Sequence, residues 1–372
     1  MARSTGIQPQ RNAAASGENV AYGKIAVAAI ALAATLALLW GGFLILRDGD
    51  MPKLVTALFA IVWGVGGVAA LFFSANYLVE AFPDAARRVV QPYIFVGPAL
   101  LLLGWFLFVP VLRTLYLSFF DSDSTGFVGL RNFIFTFTDR AMLESYRNNL
   151  IWMIFGTLGC VVFGLLIAIL ADRSKFETVA KALIFMPMAI SFVGAGVIWR
   201  FIYYYSPPGQ PQIGLLNAIV VGMGGDPQAW TSQLQPWNNL FLVAIMIWLQ
   251  TGFAMVLFSS AIKGVPVDTI EAGRVDGASE VQIFFRIMIP AIQSTIITVT
   301  TTIVIFTLKI FDVVIVMTGG QFGTEVIATQ FFRQFFINRN FGVGAAIAIV
   351  LLILVVPVMV YNLRQLDKQE AF

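Results

Sequence analysis

The sequence has no histidine, one cysteine and few charges. Without histidine there is no Ser-His or Cys-His catalysis, no His-ligated zinc or haem, and no imidazole pH switch. Cys160 stands alone inside an apolar run, which excludes an internal disulfide and a thiolate metal cluster. Charged residues make up 12% of the chain, about half of the usual share. The net charge of +3 is scattered, which gives no footprint for nucleic acid. A phosphate loop is missing too: Gly23-Lys24 is followed by Ile25, and no glycine stands five places before Gly23. The chain cannot cradle ATP in that way.

What is there is apolar. Hydrophobic residues are 59% of 372, against roughly 45–50% in soluble domains, and mean hydropathy is +0.85. A soluble fold cannot cover that much apolar surface. A bilayer core needs about 20 apolar residues per helix, and eight segments qualify: Lys24–Leu46, Leu54–Val79, Tyr93–Phe120, Asn149–Ala171, Ala182–Tyr205, Leu240–Ile262, Ala291–Met317 and Val343–Leu363. The expected fold is an all-α polytopic membrane protein with eight transmembrane helices. The first run follows Arg3 and Arg11 as a signal peptide would, but it is too long for an h-region. It reads as an anchor, preceded by a disordered tail over residues 1–22.

Lysine and arginine set the orientation, because positive loops stay in the cytoplasm. With the N-terminus inside, inner segments hold thirteen of the 23 basic residues and outer loops seven. The long loop Ser206–Asn239 has none, and carries Trp230 and Trp237 as interface aromatics. Both termini are therefore expected in the cytoplasm.

The inner loop Lys263–Pro290 is longer than a connector requires. Pro266 fits the first turn of a short helix, Gly277 suits its left-handed end, and Ser279 with Gln282 forms a capping box that starts a second helix. The pattern predicts a bent helix pair with Glu271, Arg274 and Asp276 near the bend. It serves either as a packed connector or as a handle for a partner.

The spacing Glu271-Ala272-Gly273, Gly277 and Ile287-Met288-Ile289-Pro290 resembles the signature loop of permease subunits in binding-protein-dependent ABC importers. The family pattern is Glu-Ala-Ala, three residues, Gly, nine residues, Ile, one residue, Leu-Pro. Gly273 replaces the second Ala and Ile289 the Leu. Phe127-Val128-Gly129-Leu130-Arg131-Asn132, Ile198-Trp199-Arg200, and Phe311-Asp312 with Thr318-Gly319-Gly320 are similar to the maltose-type sugar permeases. The likeness spans residues 90–365, a six-helix permease core, with residues 23–80 adding two spans. The outer segment Asp121–Asn148 is too short for the inserted domain of the enterobacterial maltose subunit, which points the resemblance to the alpha-glucoside branch.

The resemblance implies an importer subunit for a small oligosaccharide, an alpha-glucoside such as maltose, trehalose or sucrose, in a bacterial inner (plasma) membrane. Its partners would be a second homologous permease, two cytoplasmic ATPases that bind ATP and Mg, and an extracytoplasmic sugar-binding protein. This chain itself would hold no cofactor. Glu271, Ala272, Gly273, Arg274, Asp276, Gly277, Ile287 and Pro290 would couple to the ATPases. Family positions that face substrate fall on Phe201, Tyr204, Phe306, Thr307 and Ile310. The family has amides at the last two, so this pathway is more apolar.

Lys309 and Asp312, three apart in the seventh span, are expected on one helix face. They form either a mutually neutralised packing pair or a polar spot on the pathway. Arg113 and Arg200 can snorkel from span ends. The rival functions are an ion-coupled secondary transporter, which would show ionisable relays within its spans, and a membrane enzyme, for which no paired carboxylates are present.

Overall fold

The computed structural model describes residues 22–207, 209–232 and 235–370. The expected tail lies outside them, except for Tyr22. The described chain is helical apart from turns and one isolated bridge between Phe120 and Phe127. It divides into two compact units, one ending at Val111 and the other starting at Leu112.

In the first unit, α1 (Tyr22–Asp48) and α2 (Lys53–Glu80) form a pair. Glycines set their approach. A Cβ on Gly42 would fall 1.9 Å from Trp63 Nε1, and one on Gly67 would fall 2.4 Å from Leu39 Cδ2. Small residues let two helices close up where lipid supplies no hydrophobic drive. The next helix, α3 (Ala86–Leu117), begins in this unit and runs past Val111.

The second unit holds α4 (Arg131–Thr138), α5 (Arg140–Asp172), α6 (Glu177–Ala189), α7 (Phe192–Ile202), α8 (Leu215–Gly222) and α9 (Asn238–Lys263). It continues with α10 (Val267–Val275), α11 (Glu280–Ala291), α12 (Gln293–Leu308), α13 (Asp312–Met317), α14 (Ile327–Phe332) and α15 (Phe341–Glu370). The core sits around α9, which is apolar on every side and is buried accordingly. Trp152, Leu242, Met246, Met255, Phe258, Val299, Ile303 and Val313 pack there. At Gly164 of α5 a Cβ would stand 2.6 Å from the Ala254 Cβ, so these two spans touch through small residues.

Among the described residues six helices are long and apolar enough to cross a membrane, or up to eight spans if each of two bent pairs counts as one. The bends correct two expected spans. Ala182–Tyr205 is not one rod: α6 and α7 meet at 102°. Pro187 offers no N–H to continue the ladder, the chain tightens to a 3-10 turn at Met186–Ala189, and Ser191 restarts it by accepting the Gly194 N–H at 3.0 Å. Ala291–Met317 is interrupted twice, by a 70° bend at Ile292 between α11 and α12 and by a break after Leu308. The fourth segment starts earlier than expected, at Arg140, because the Asp139 carboxylate accepts the Ala141 and Met142 N–H groups as an N-cap.

Candidate functional site: a projecting loop and a broken span

The 263–290 segment forms the expected pair of short helices. Pro266 sits at the N-cap of α10, one place before the first turn expected for it. Gly277 has φ +79°, and the chain reverses through Ala278 N–H to Gly273 O at 3.0 Å and Gly277 N–H to Arg274 O at 3.0 Å. These two bonds are the glycine-ended helix stop that satisfies the last carbonyls. The capping box is present: Gln282 N–H donates to Ser279 Oγ at 3.3 Å and Ser279 N–H to Gln282 Oε1 at 2.8 Å. Gly273 is buried under the second helix, where a Cβ would lie 2.7 Å from Ile287 Cδ1. A small residue is needed there for the pair to close.

Glu271, Ala272, Arg274, Asp276, Gly277 and Pro290 are exposed, and Ile287 is half-buried. Arg274 Nε donates to Glu280 Oε1 at 2.8 Å, which holds the guanidinium still more firmly protonated. Val275 is 87% exposed, and Val267, Val281 and Phe285 are exposed with it. Val267, Val275 and Val281 were not singled out from the sequence. The signal is valines on a short helix whose only buried residue is Gly273. Apolar residues exposed together beside charges mark a surface for a partner.

The second feature is the break in the seventh span. Helix α12 ends at Leu308 and α13 begins at Asp312, so Lys309 lies just past the end of one helix and Asp312 opens the next, and the two do not share a helix face. Among the described residues no ion pair joins them; Lys309 is exposed and Asp312 is half-buried in the first turn of α13. The expected shared face fails because the helix stops between them.

Backbone groups freed by a break inside a membrane need new partners. Asn149 supplies them. Its Nδ2 donates to Thr307 O at 3.3 Å and Leu308 O at 3.2 Å, while its Oδ1 accepts Ile327 N–H at 2.8 Å. One buried amide thus closes the end of α12 and opens α14. Its neighbour Asn148 donates to Gly323 O at 2.8 Å and Glu325 O at 2.7 Å, and Asn238 donates to Phe322 O at 2.8 Å. The turn they hold contains Gly319 at φ +65° and Gly320 at φ +77°. A Cβ on Gly320 would meet the Glu325 carboxyl carbon at 2.8 Å. Burial pushes the Glu325 carboxyl above its ordinary range, against the opposing hydrogen bond from Thr329 and the charge of Arg333, with which it forms an ion pair. The sequence signal for this network was the paired amides Asn148-Asn149 and Asn238-Asn239 at the ends of apolar runs.

Of the pathway candidates, Phe201, Tyr204 and Phe306 are exposed on this chain. Thr307 is fully buried with Oγ1 donating to Val304 O at 2.8 Å, and Ile310 is buried in the core. These two therefore face the interior of the unit.

Residues 160–366 match the family model described as the binding-protein-dependent transport system inner membrane component. The chain belongs to this family. It is 55% identical over 277 residues to the osmoprotective compounds uptake permease protein GgtC of Synechocystis sp., covering 74% of this chain and 99% of that one. It is 46% identical over 334 residues to the alpha-glucoside transport system permease protein AglF of Rhizobium meliloti, covering 86% of this chain and 99% of the relative. The fold is similar to a chain of a bacterial ABC transporter involved in import of the acidic polysaccharide alginate, with TM-score 0.65, 20% identity and coverage of 76% of this chain and 98% of that one.

This inner membrane component is a multi-pass ABC permease, a transport subunit and not itself the ATPase. Family membership removes the ion-coupled secondary transporter and the membrane enzyme as readings.

Proposed function

We propose that this permease subunit forms half of the translocation pathway of an importer for a small oligosaccharide of the alpha-glucoside class. The supporting comparison is the 46% identity to the alpha-glucoside permease over 86% of the chain. The 55% identity to the osmoprotective compounds permease favours a second cargo reading, an osmoprotective compound. In both, the chain pairs with a second permease and with two ATPases that bind ATP and Mg on the cytoplasmic side, where both termini also lie. A sugar-binding protein delivers cargo from outside.

The observation that carries the coupling role is the exposed α10–α11 pair, with Glu271 beside Val267, Val275 and Val281. Closure of the ATPase dimer on ATP pulls this pair and its counterpart on the second permease together. The membrane helices then turn from inward- to outward-facing. The Glu271 carboxylate makes a charge-assisted contact with a basic residue of the ATPase, and the valines fill its groove. Phe201, Tyr204 and Phe306 offer flat apolar faces of the kind that stack on sugar rings. Lys309, exposed at the break, adds three donors for hydroxyls.

Glu271→Lys tests this. Removing one partner of a desolvated interfacial pair costs about 2–5 kcal/mol. The variant should insert normally, lose co-purifying ATPase, and lose hydrolysis stimulated by the loaded binding protein. Full stimulation would refute the coupling role. Uptake of a labelled alpha-glucoside, competed by osmoprotective solutes, separates the two cargo readings.

A further inference from the structure

The turn between α5 and α6 is tied to two other parts of the unit. On one side, the Lys181 ammonium of α6 pairs with Asp172 Oδ1 at the end of α5 at 2.5 Å, and with Glu177 Oε1 at 2.5 Å. Ser259 Oγ of α9 donates to the same Asp172 oxygen at 2.7 Å, and Lys263, the last residue of α9, pairs with Glu177. Lys181 and Asp172 are sheltered, at 18% and 12% side-chain exposure. On the other side, Arg173 Nη2 reaches Glu280 Oε2 of α11 at 3.5 Å, while Arg274 holds the other oxygen of the same carboxylate at 2.8 Å. Glu280 therefore bridges the projecting loop to the α5–α6 turn.

The bent span carries the connection onward. Where α6 crosses α9, a Cβ on Gly252 would lie 2.6 Å from Ile184 O and 2.7 Å from Phe185 Cα, so backbone rests on backbone. After the 102° bend, α7 lies on α13: a Cβ on Gly196 would stand 2.8 Å from Val316 Cγ1. Helix α13 starts at the break beside Lys309. Rigid contacts of this kind transmit displacement, whereas a lone exposed ion pair adds little to stability.

We propose that the α5–α6 turn is a transmission strut, in which Arg173 and Glu280 fasten it to the projecting loop and Lys181 with Asp172 fasten it to the bent span. Arg173 and Glu280 act as positioning residues that keep loop and turn moving as one body. The proposal rests on the coupling reading above and goes beyond it by naming the route inside this subunit. The Arg173–Glu280 pair is half-exposed, so breaking it should leave the fold intact.

The test uses the whole transporter, with both permeases, the ATPases and the binding protein, in sealed vesicles. Arg173→Gln cuts the strut from the turn side and leaves the Arg274–Glu280 bond in place. It should keep ATPase association and keep stimulated hydrolysis within twofold, while cargo imported per ATP falls at least tenfold. In a second arm, Arg173→Cys with Glu280→Cys is joined by a short bifunctional thiol reagent; Cys160 is fully buried and does not compete. The uncrosslinked cysteine pair lacks the strut and should show the same loss as Arg173→Gln, and the crosslink, which holds the two sites together again, should restore at least half of the wild-type import per ATP. A normal import-to-hydrolysis ratio in Arg173→Gln would overturn the proposal, as would a crosslinked pair that imports no more per ATP than the uncrosslinked one. A wild-type complex without stimulated hydrolysis would instead sink the coupling reading, and the strut with it.

Discussion

Replacing Asn149 is the sharpest test of how the seventh span is held open. The amide makes three bonds across more than 150 residues of chain, two to carbonyls at the end of α12 and one from the Ile327 N–H. Leu at this position keeps volume and removes all three. Each stranded backbone group costs about 1–3 kcal/mol where water is absent. Hydrogen bonds between membrane helices average about 0.6 kcal/mol, because the unfolded reference also finds partners. The carbonyl bonds are long at 3.2 and 3.3 Å, so the expected total lies between about 2 kcal/mol, three bonds at the membrane average, and about 3 kcal/mol, three groups at the low end of the desolvation cost. Asn149→Asp is the control. It keeps an acceptor for Ile327 N–H, loses the donor, and sets a negative charge against two carbonyls, so it should be at least as damaging as Leu. The assay is unfolding of the purified protein by SDS titration, together with maleimide labelling of a cysteine placed at Lys309. Labelling should change as the break relaxes. If Asn149→Leu stays within about 0.5 kcal/mol of wild type, the size of an ordinary surface substitution, with unchanged labelling, the break does not depend on this amide.

Gly252→Val should prevent folding of the second unit, because its Cβ would lie 2.6 Å from the Ile184 carbonyl oxygen and 2.7 Å from Phe185 Cα, and backbone cannot step aside. Overpacking of this kind costs about 1–3 kcal/mol or more, and size-exclusion chromatography should show aggregate in place of a monodisperse peak. Asp312→Asn should leave expression and assembly unchanged, since no Lys309 partner is stranded. The loss is only the favourable placement of an acid in a first helical turn, about 0.3–1 kcal/mol, and a collapse in membrane level would contradict the broken-span geometry. Glu325 gives a pH dependence with a definite sign. Its folded carboxyl titrates above the ordinary 4.5, so the folded state binds more protons and stability falls as pH rises from 4.5 through the folded value. Glu325→Gln should remove that contribution in thermal-shift titrations, and a stability difference, wild type minus variant, that grows as pH rises would refute the assignment.

The hydropathy runs located the membrane helices, because about 20 apolar residues have few alternatives to crossing a bilayer. Local chemistry was equally legible in the projecting loop. Gly277 at positive φ and the Ser279–Gln282 box follow from rules that act over four to six residues. The family resemblance lay in the same short segment, which is why it could be seen without any tertiary information.

Tertiary structure alone decided the rest. Apolar composition is the same for a straight span and a bent one, so the 102° turn at Ile190–Ser191 and the break after Leu308 could not be read from hydropathy. Helical spacing put Lys309 and Asp312 on one face, and the partner that makes the break tolerable, Asn149, comes from a helix more than 150 residues earlier. Burial of Thr307 and Ile310 likewise depends on what packs against α12. The strut residues Arg173 and Glu280 are ordinary surface charges in the sequence, over 100 positions apart. Only folding sets them 3.5 Å from each other, because long-range pairing is fixed by the packing of whole helices and leaves no periodic trace along the chain.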